Sequence, residues 1–446
     1  LMSVALQWGC NMQTNFTLAQ MGDPDIANAN DILRACVHCG FCTATCPTYV
    51  LLGDELDSPR GRIYQIKDML EKAAPASPKI VKHMDRCLSC MSCMTTCPSG
   101  VDYMHLVDHG RAYIERTFRR SLMDRCLRQV LATLLPRPGL FRVALLAAWA
   151  ARPFAKWAPG RLGAILRLAP SQPTSPSSMD RPQIFRAKGA RRARVALLWG
   201  CAQPVLSPQI NEATVRLLTR HGVDVVHAKG AGCCGALTHH MGKVGESHAQ
   251  AAANIRVWTQ EIEGEGLDAI VVNASGCGTT VKDYGFMFRK DAALKDDAAR
   301  ISAMALDVTE FIDTLDLSFA SQPQAPTIAY HSACSMQHGQ KITTLPKELL
   351  RRAGFNVRDV PEAHLCCGSA GTYNILQPEL AEKLLQRKIE NIAKTSADVV
   401  AAGNIGCITQ IASGADIPVL HTVELLDWAS GGPKPLVLSM LPVLSL

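Results

Sequence analysis

The chain has 446 residues, of which 48% are hydrophobic and 19% charged, a balance typical of a globular protein and unlike that of a disordered or fibrous chain. Its length predicts several domains of about 100–200 residues each. The longest apolar run in its middle, Val143 to Ala151, is about half of the roughly twenty residues that a membrane-spanning helix needs. Aromatic residues make up only 5% and are not interleaved with basic ones, which argues against a nucleic-acid partner.

Residues 1–28 are interpreted as an N-terminal extension, which shows neither the basic stretch nor the cleavage site of a signal peptide. We therefore expect a reducing compartment. There, eighteen cysteines favour metal or redox chemistry over a disulfide framework. Cys10 and Cys126 lie outside every cysteine motif and are expected to be structural, or, for Cys10, to precede a true start near Met12.

Residues 29–120 contain one cysteine motif twice. In each copy three cysteines are spaced by two residues, and a fourth follows after three more and precedes a proline. This is the bacterial ferredoxin spacing for a [4Fe–4S] cluster, in which the fourth cysteine of one motif ligates the other cluster. The spacing therefore predicts that cluster one is held by Cys36, Cys39, Cys42 and Cys97, and cluster two by Cys87, Cys90, Cys93 and Cys46.

A pair of zinc sites is the alternative, but zinc motifs combine two separated cysteine pairs and do not give this pattern twice. The stretches 63–71 and 101–120 predict helices around the motifs. We therefore expect a mainly helical domain in which two clusters lie close together. Such an arrangement suits one-electron transfer rather than acid–base catalysis.

Residues 121–192 form a basic segment that ends in a linker rich in proline and serine. From Arg125 to Asn211 the chain has fourteen lysine and arginine residues and one acid, Asp180. This stretch carries +13, although the whole chain carries +7. Over 125–169 apolar runs alternate with arginines, and prolines divide them into short helices. One hypothesis is that 125–169 binds an anionic membrane surface; the other is that it packs on the domains as a helical hairpin.

Residues 193–320 and 326–430 repeat one pattern, and 431–446 form a tail. In each copy a strand runs into a cysteine, a Cys-Cys-Gly motif follows, and a later strand runs into a fourth cysteine. The corresponding positions lie 133, 133 and 130 residues apart. Strands alternating with helices predict a parallel α/β lobe in each copy. The predicted fold is thus α+β and multidomain, a helical di-cluster domain followed by two duplicated α/β lobes.

The carboxyl ends of parallel strands form ligand sites, so four cysteines per lobe predict further iron–sulfur or zinc binding, or a redox dithiol. The alternative is that they are buried structural thiols. Nearby histidines are candidates for proton handling near a quinone. The cysteines are Cys201, Cys233, Cys234 and Cys277 in the first lobe and Cys334, Cys366, Cys367 and Cys407 in the second. The histidines are His239, His240, His331, His364 and His421.

Two ferredoxin motifs followed by two Cys-Cys-Gly lobes resemble the iron–sulfur subunits of flavin-linked hydroxy-acid dehydrogenases. The stretches RACVHCGFC at 34–42, SPRGR at 58–62 and NASGCG at 273–278 look most similar to the glycolate oxidase (glycolate dehydrogenase) iron–sulfur subunit family. The resemblance implies an electron-transfer subunit of an acceptor-dependent oxidoreductase. An FAD-containing partner subunit would oxidise glycolate to glyoxylate, and electrons would pass to a membrane quinone.

The resemblance also implies a peripheral location on the cytoplasmic side of the inner membrane. FAD is expected on the partner, because this chain has no dinucleotide-binding fingerprint. In the related heterodisulfide reductase lobes the last strand ends in Cys-x2-Cys, whereas Ala274 and Asn404 replace the first cysteine of each pair here. That departure argues against a second hypothesis, a thiol–disulfide enzyme that reacts at the lobes.

Two other hypotheses remain. The chain could serve a D-lactate or glycerol-3-phosphate dehydrogenase in the same way, because the substrate contacts would lie on the partner. A regulatory iron–sulfur sensor that binds nucleic acid through the basic segment is disfavoured, because the sequence contains no helix-turn-helix and no set of stacking aromatic residues.

Overall fold

The computed structural model describes residues 11–158, 160–170, 172–315, 317, 319 and 325–439. The N-terminal domain is helical, and no strand occurs in the described residues before Gln183, so the expectation of a mainly helical ferredoxin domain is confirmed. Its helices are α1 (Leu18–Met21), α2 (Pro24–Arg34), α3 (Phe41–Ala44), α4 (Pro47–Leu52), α5 (Pro59–Glu71), α6 (Pro78–Asp85), α7 (Ser92–Thr96) and α8 (Tyr103–Thr117).

The stretch SPRGR at 58–62 forms the start of helix α5. Ser58 is the N-cap and accepts a hydrogen bond at Oγ from the backbone N–H of Gly61, and Pro59 occupies the first helical position. A Cβ on Gly61 would lie 1.9 Å from the carbonyl oxygen of Glu55, so only glycine fits there. This close approach directs the side chains of Arg60 and Arg62 toward the two cysteine motifs.

The basic segment forms α9 (Leu122–Leu134), α10 (Pro138–Ala151), a 3₁₀ turn (Arg152–Lys156) and α11 (Gly160–Leu168). Its inner face packs on the rest of the chain through Leu131, Leu145 and Leu166, which are buried. Its outer face leaves large apolar side chains in solvent. No helix of the described residues is long and apolar enough to cross a membrane.

Ion pairs fasten this segment to the ferredoxin domain. Arg128 on α9 contacts Asp85 at 3.0 Å and Asp124 at 3.0 Å, and Arg161 on α11 contacts Asp124 at 2.7 Å. Arg120 joins the same carboxylates. Part of the positive charge of the segment is therefore neutralised inside the protein, whereas the hairpin hypothesis placed the arginines at the solvent side.

The first lobe is built on a five-stranded sheet of order β1-β3-β2-β4-β5. All neighbours are parallel except β1, which pairs with β3 in the antiparallel direction. The strands are β1 (Gln183–Phe185), β2 (Ala193–Leu197), β3 (Val223–His227), β4 (Ala269–Val272) and β5 (Ala305–Asp307). The helices are α12 (Gln203–Leu206), α13 (Gln209–Arg220), α14 (Ala236–His240), α15 (Val244–Glu263), α16 (Ser275–Lys282), α17 (Tyr284–Met287), α18 (Lys295–Met304) and α19 (Val308–Asp313).

The second lobe has a four-stranded parallel sheet of order β7-β6-β8-β9. Its strands are β6 (Thr327–His331), β7 (Asn356–Asp359), β8 (Val399–Ala402) and β9 (Val419–His421). Its helices are α20 (Leu345–Arg352), α21 (Tyr373–Leu376), α22 (Pro378–Ala393), α23 (Ile405–Ala412), α24 (Thr422–Ala429) and α25 (Leu436–Ser439), with a π-helical turn at Ser335–Gly339. The predicted parallel α/β lobes are confirmed; the outer strands β1, β5 and β9 were not predicted.

The two lobes share one hydrophobic core and meet at the carboxyl ends of β4 and β8. There the backbone N–H of Ser275 donates to the carbonyl of Gly403 at 3.0 Å, and the hydroxyls of Ser275 and Ser335 lie 2.8 Å apart. On the far side of this core the buried Asp427 pairs with Arg216 at 2.8 Å. The strand ends that carry the cysteines are thus brought toward one another.

Candidate iron–sulfur site and central chamber

The first ferredoxin motif closes around one cavity. Its loop has left-handed backbone at His38 (φ 56°) and at Gly40 (φ 84°), which turns the chain around the second cysteine of the motif. A Cβ on Gly40 would lie 2.9 Å from the guanidinium of Arg60, so the glycine makes room for a cation beside the cavity. The cysteines that line this cavity are Cys36, Cys39, Cys42, Cys97 and Cys93.

The second motif forms a matching cavity. Ser89 (φ 49°) and Met91 (φ 59°) repeat the two left-handed positions of the first loop, although a non-glycine residue adopts this conformation at a cost of about 1 kcal/mol. The cysteines that line this cavity are Cys46, Cys87, Cys90 and Cys93. In each cavity the fourth cysteine of the other motif lies beside the local triple, as the exchanged ligand assignment expects. The assignment itself stays a prediction.

A buried arginine network adjoins the second cavity. Arg62 lies 3.8 Å from the Sγ of Cys46 and donates to the carbonyl of His83 at 2.8 Å and to Asp57 at 3.2 Å. Although burial raises the pKa of Cys87, the charges of Arg62 and Arg111 lower it below its ordinary value. The protein therefore stabilises negative charge on sulfur at this cavity.

The donor set fits [4Fe–4S] clusters. Thiolates are the ligands of these clusters, and each cavity gathers four or more thiols on loops whose backbone turns around them. Burial raises the pKa of Cys42 to about 11 and that of Cys93 well above its ordinary value, so without a metal these thiols would stay protonated. The two sites differ in access: Cys39 at the first cavity is exposed, whereas Cys46 and Cys87 at the second are buried.

The Cys-Cys-Gly motif has the same geometry in both lobes. Gly235 (φ 89°) and Gly368 (φ 91°) are left-handed, and a Cβ would lie 2.8 Å from the carbonyl oxygen of Ser247 or 2.6 Å from that of Ala381. The backbone N–H of each glycine points at the first sulfur of its motif, 3.5 Å from Cys233 and 3.4 Å from Cys366. Glycine is therefore required both for the turn and for the helix that packs behind it.

Each lobe brings its four predicted cysteines together. In the first lobe the thiol contacts run from Cys201 to Cys233, on to Cys234 and on to Cys277. In the second lobe the same chain of contacts links Cys334, Cys366, Cys367 and Cys407. Outside these groups, Cys126 lies exposed on α9, and Cys10 falls outside the described residues.

A chamber of about 420 Å³ lies between the ferredoxin domain, the helical segment and both lobes. Its walls on the segment side are apolar and include Leu131, Leu145 and Ala148. Cys90 lines both this central chamber and the second ferredoxin cavity. Seven of the eight lobe cysteines also line it: Cys201, Cys233, Cys234, Cys277, Cys334, Cys366 and Cys407.

A polar group interrupts the apolar lining. Asp108 of α8 is buried and contacts His239 at 3.2 Å and His240 at 3.7 Å, and all three residues line the central chamber. Burial lowers the pKa of His239, but Asp108 outweighs it and holds that pKa above its ordinary value. Two of the five predicted proton-handling histidines therefore reach the chamber. Sequence reasoning missed Asp108, because nothing in α8 marks it as the partner of residues 131 and 132 positions away.

The other three histidines have different surroundings. His421 caps α24 by accepting a hydrogen bond at Nδ1 from the backbone N–H of Val423, and His364 is half-buried and does not line the chamber. His331 is buried at the end of β6, beside the cysteines of the second lobe.

The fold and the site define an iron–sulfur electron-transfer protein, in which a helical di-cluster domain adjoins two duplicated cysteine-rich lobes. Comparison with known protein families supports this class. Residues 32–101 match the 4Fe-4S dicluster domain family, and residues 195–282 and 328–412 match the cysteine-rich domain family.

Among curated proteins, the chain is 42% identical over 418 residues to the "Glycolate oxidase iron-sulfur subunit" of Escherichia coli (strain K12), covering 94% of this chain and 99% of that one. It is 30% identical to the "Probable glycolate oxidase iron-sulfur subunit" of Bacillus subtilis (strain 168), covering 90% and 94%. A "Lactate utilization protein A" from Bacillus licheniformis is 27% identical over 52% of this chain. The chain belongs to the glycolate oxidase iron–sulfur subunit family, as the resemblance predicted, and carries 4Fe–4S clusters in an oxidoreductase.

Proposed function

We propose that this chain is the electron-transfer subunit of a complex in which an FAD-containing partner oxidises glycolate to glyoxylate and a quinone at the inner membrane receives the electrons. The observation that carries the proposal is the position of Cys90, which lines both the second ferredoxin cavity and the central chamber. Burial raises the pKa of Cys90, and the nearby thiol of Cys334 in the second lobe raises it further. When bound, the two clusters supply one-electron carriers at adjacent positions.

The surface around Cys39 suits the flavin partner. Cys39 is exposed, and next to it Phe41 is 62% and Tyr64 49% exposed. Tyr64 stacks on His38 with ring centroids 4.7 Å apart, so the exposed aromatic surface is held in place beside the first cavity. Aromatic side chains are enriched where proteins bind one another. Electrons would enter the chain here.

The central chamber suits the acceptor. A quinone has an apolar ring and tail, and the chamber offers an apolar wall formed by α9, α10 and α11. Reduction of a quinone to a hydroquinone consumes two electrons and two protons, which are the numbers that oxidation of glycolate to glyoxylate releases. The group formed by Asp108, His239 and His240 would hold protons at the wall where α8 meets the first lobe.

The outer face of the helical segment suits an anionic membrane surface. Phe154 is 59% and Trp157 is 78% exposed, and Leu146, Leu162 and Val143 are exposed as well. The arginines that remain exposed there make no ion pair with a carboxylate of the described residues; they are Arg125, Arg137, Arg152 and Arg167. An apolar face flanked by unpaired cations binds anionic interfaces. The same helices would then lie against the membrane on one side and line the chamber on the other.

Lactate is the second candidate substrate, because shorter relatives carry the name "Lactate utilization protein A". The chain's own residues do not separate the two substrates, since the partner would hold the hydroxy acid. A dye-reduction assay on the isolated complex would separate the two substrates. The complex, purified anaerobically, should reduce the dye faster with glycolate than with D-lactate or glycerol-3-phosphate.

A bulky side chain placed in the central chamber tests whether the chamber binds the quinone. Ala148 on α10 lines the chamber, whereas the adjacent Ala147 is exposed. In the complex, Ala148→Trp should abolish glycolate-dependent quinone reduction while the flavin partner still reduces dye, and Ala147→Trp should leave both activities unchanged. Quinone reduction that survives Ala148→Trp at the wild-type rate would contradict the proposal.

A further inference from the structure

Among the described residues, the second lobe contains a group of ligands that has no counterpart in the first. His331 ends strand β6, and its ring lies beside the thiols of Cys367 and Cys407. One ligand atom from each residue lies within 4.8 Å of the other two, and all three side chains are buried. In the first lobe the position three residues before the first cysteine is Leu198 rather than a histidine. The duplication has therefore placed an imidazole at only one of two equivalent sites.

The imidazole has no hydrogen-bonding partner of its own. Neither Nδ1 nor Nε2 of His331 is bonded to any atom of the described residues, although the side chain is only 1% exposed. Leaving both nitrogens of a buried ring unpaired costs free energy, since buried polar groups are normally hydrogen-bonded. A metal ion in contact with one of these nitrogens would remove part of that cost.

A buried cation faces the same group. Lys388 of α22 is 2% exposed and donates to the carbonyl oxygen of Glu362 at 3.1 Å. No carboxylate within the described ranges lies within 4 Å of its ammonium, so its charge is not balanced by an acid. Cys334 and His331 both lie within its electrostatic reach. Thiolates bound to a divalent metal would supply negative charge that balances the ammonium of this lysine.

We propose that His331, Cys367 and Cys407 bind a zinc ion in the second lobe, separate from the two ferredoxin clusters. Cys366, whose thiol contacts that of Cys367, supplies the fourth ligand. Zinc favours tetrahedral sites that combine thiolates with imidazole, and four protein ligands make such a site structural rather than catalytic. Bound there, the ion would join β6 to the Cys-Cys-Gly turn and to α23, across the wall of the central chamber.

The first test is spectroscopic and uses the full chain. Purified anaerobically in zinc-containing medium, it should hold zinc in addition to iron. X-ray absorption at the zinc edge should show sulfur at about 2.3 Å and one imidazole nitrogen at about 2.0 Å. An absence of zinc, or a zinc shell made only of sulfur, would overturn the proposal.

The second test is a set of variants. His331→Leu copies the first lobe and should lose one equivalent of zinc per chain, while the iron content and the visible spectrum of the clusters stay unchanged. His331→Cys keeps a ligand and should retain the zinc with a shell of sulfur alone. Cys277→Ser changes a thiol of the first lobe and should keep both the zinc and its nitrogen scatterer. Zinc retained in His331→Leu, or lost in Cys277→Ser, would contradict the assignment.

Discussion

Asn404 donates a hydrogen bond from Nδ2 to the Sγ of Cys407 over 3.4 Å. Its Oδ1 accepts from the backbone N–H of Gly276 in the other lobe, also at 3.4 Å. Asn404 therefore ties the sulfur to the interface between the lobes at the position where heterodisulfide reductase lobes carry an additional cysteine. The first lobe has Ala274 there, which offers no such bond. Positions 331 and 404 are thus two of the places beside the cysteines at which the lobes differ.

This contact gives a prediction for metal retention. Asn404→Ala, which makes the second lobe like the first, should weaken zinc binding roughly tenfold or more, since groups that orient metal ligands contribute that much to affinity. Competition with a chromophoric chelator measures the change. Asn356→Ala is the control, because that amide is exposed and bonds to Thr327. Equal zinc affinity in Asn404→Ala and the wild type would show that the bond to Cys407 has no such role.

The buried arginine of the ferredoxin domain should affect both stability and potential. Arg62→Gln removes one ion-pair partner of Asp57, leaving His83 and Arg86, and should cost about 3 kcal/mol of unfolding free energy. It also removes a positive charge from beside Cys46, so one cluster should become harder to reduce. Potentiometric titration followed by electron paramagnetic resonance (EPR) measures this.

Two further variants separate these effects. Arg62→Lys keeps the charge and should restore most of the potential but not the stability, because lysine cannot repeat the directed hydrogen bonds of the guanidinium to His83, Thr48 and Asp57. Lys72→Gln breaks an exposed pair with Asp68 and should change neither quantity. A potential unaltered in Arg62→Gln would mean that the cation does not act on the cluster.

Docking of the ferredoxin domain on the first lobe should depend on pH through His105. Its ring contacts Asp102, with the Oδ2 2.5 Å from Nδ1, and Asp283 of the other domain at 2.9 Å. Burial lowers the pKa of His105, but these carboxylates outweigh it and raise the pKa to about 9. The stabilisation is complete below the unfolded value of about 6.5 and is lost as the pH rises through 9. The melting temperature should therefore fall between pH 7 and 10.

His105→Gln is the matching variant for that prediction. It cannot be protonated, so its melting temperature should be lower at pH 7 and should change less between pH 7 and 10 than that of the wild type. If the melting temperatures of the two proteins changed equally between pH 7 and 10, the proposed role of the imidazolium would be contradicted.

Membrane binding should depend on the outer face of the helical segment. Replacing both Phe154 and Trp157 by glutamate should reduce sedimentation with anionic vesicles severalfold, since both side chains already lie in solvent and their loss should not disturb the fold. Leu18→Glu is the control, because Leu18 is 93% exposed on α1, outside the segment. Unchanged sedimentation of the double variant would favour the packed hairpin alone.

The sequence predicted those parts of the fold that repeat or follow a fixed spacing. The cysteine motifs and the duplication identified the helical di-cluster domain and the two α/β lobes, because cluster ligation and parallel strands impose regular patterns. Strand β1 was not predicted. Only three residues long and antiparallel at the edge, it lies in a linker whose composition suggests no strand.

The parts of the site that depend on long-range contacts could not be predicted. Asp108 meets His239 across 131 positions, and no local pattern links them. The two hypotheses for the basic segment could not be separated either, because one set of helices buries leucines on one face and exposes tryptophan on the other. A helix that is apolar all round gives no periodic signal for its orientation.

In the proposed function, electrons from the hydroxy acid reach this chain and leave it for a quinone. The most direct test is EPR of the complex, purified anaerobically with roughly eight iron atoms per chain for two cubane clusters. Addition of glycolate should produce the signals of reduced, magnetically interacting [4Fe–4S] clusters, and a short-chain quinone should then abolish them. Clusters that stay oxidised with glycolate, or stay reduced after the quinone is added, would contradict the account.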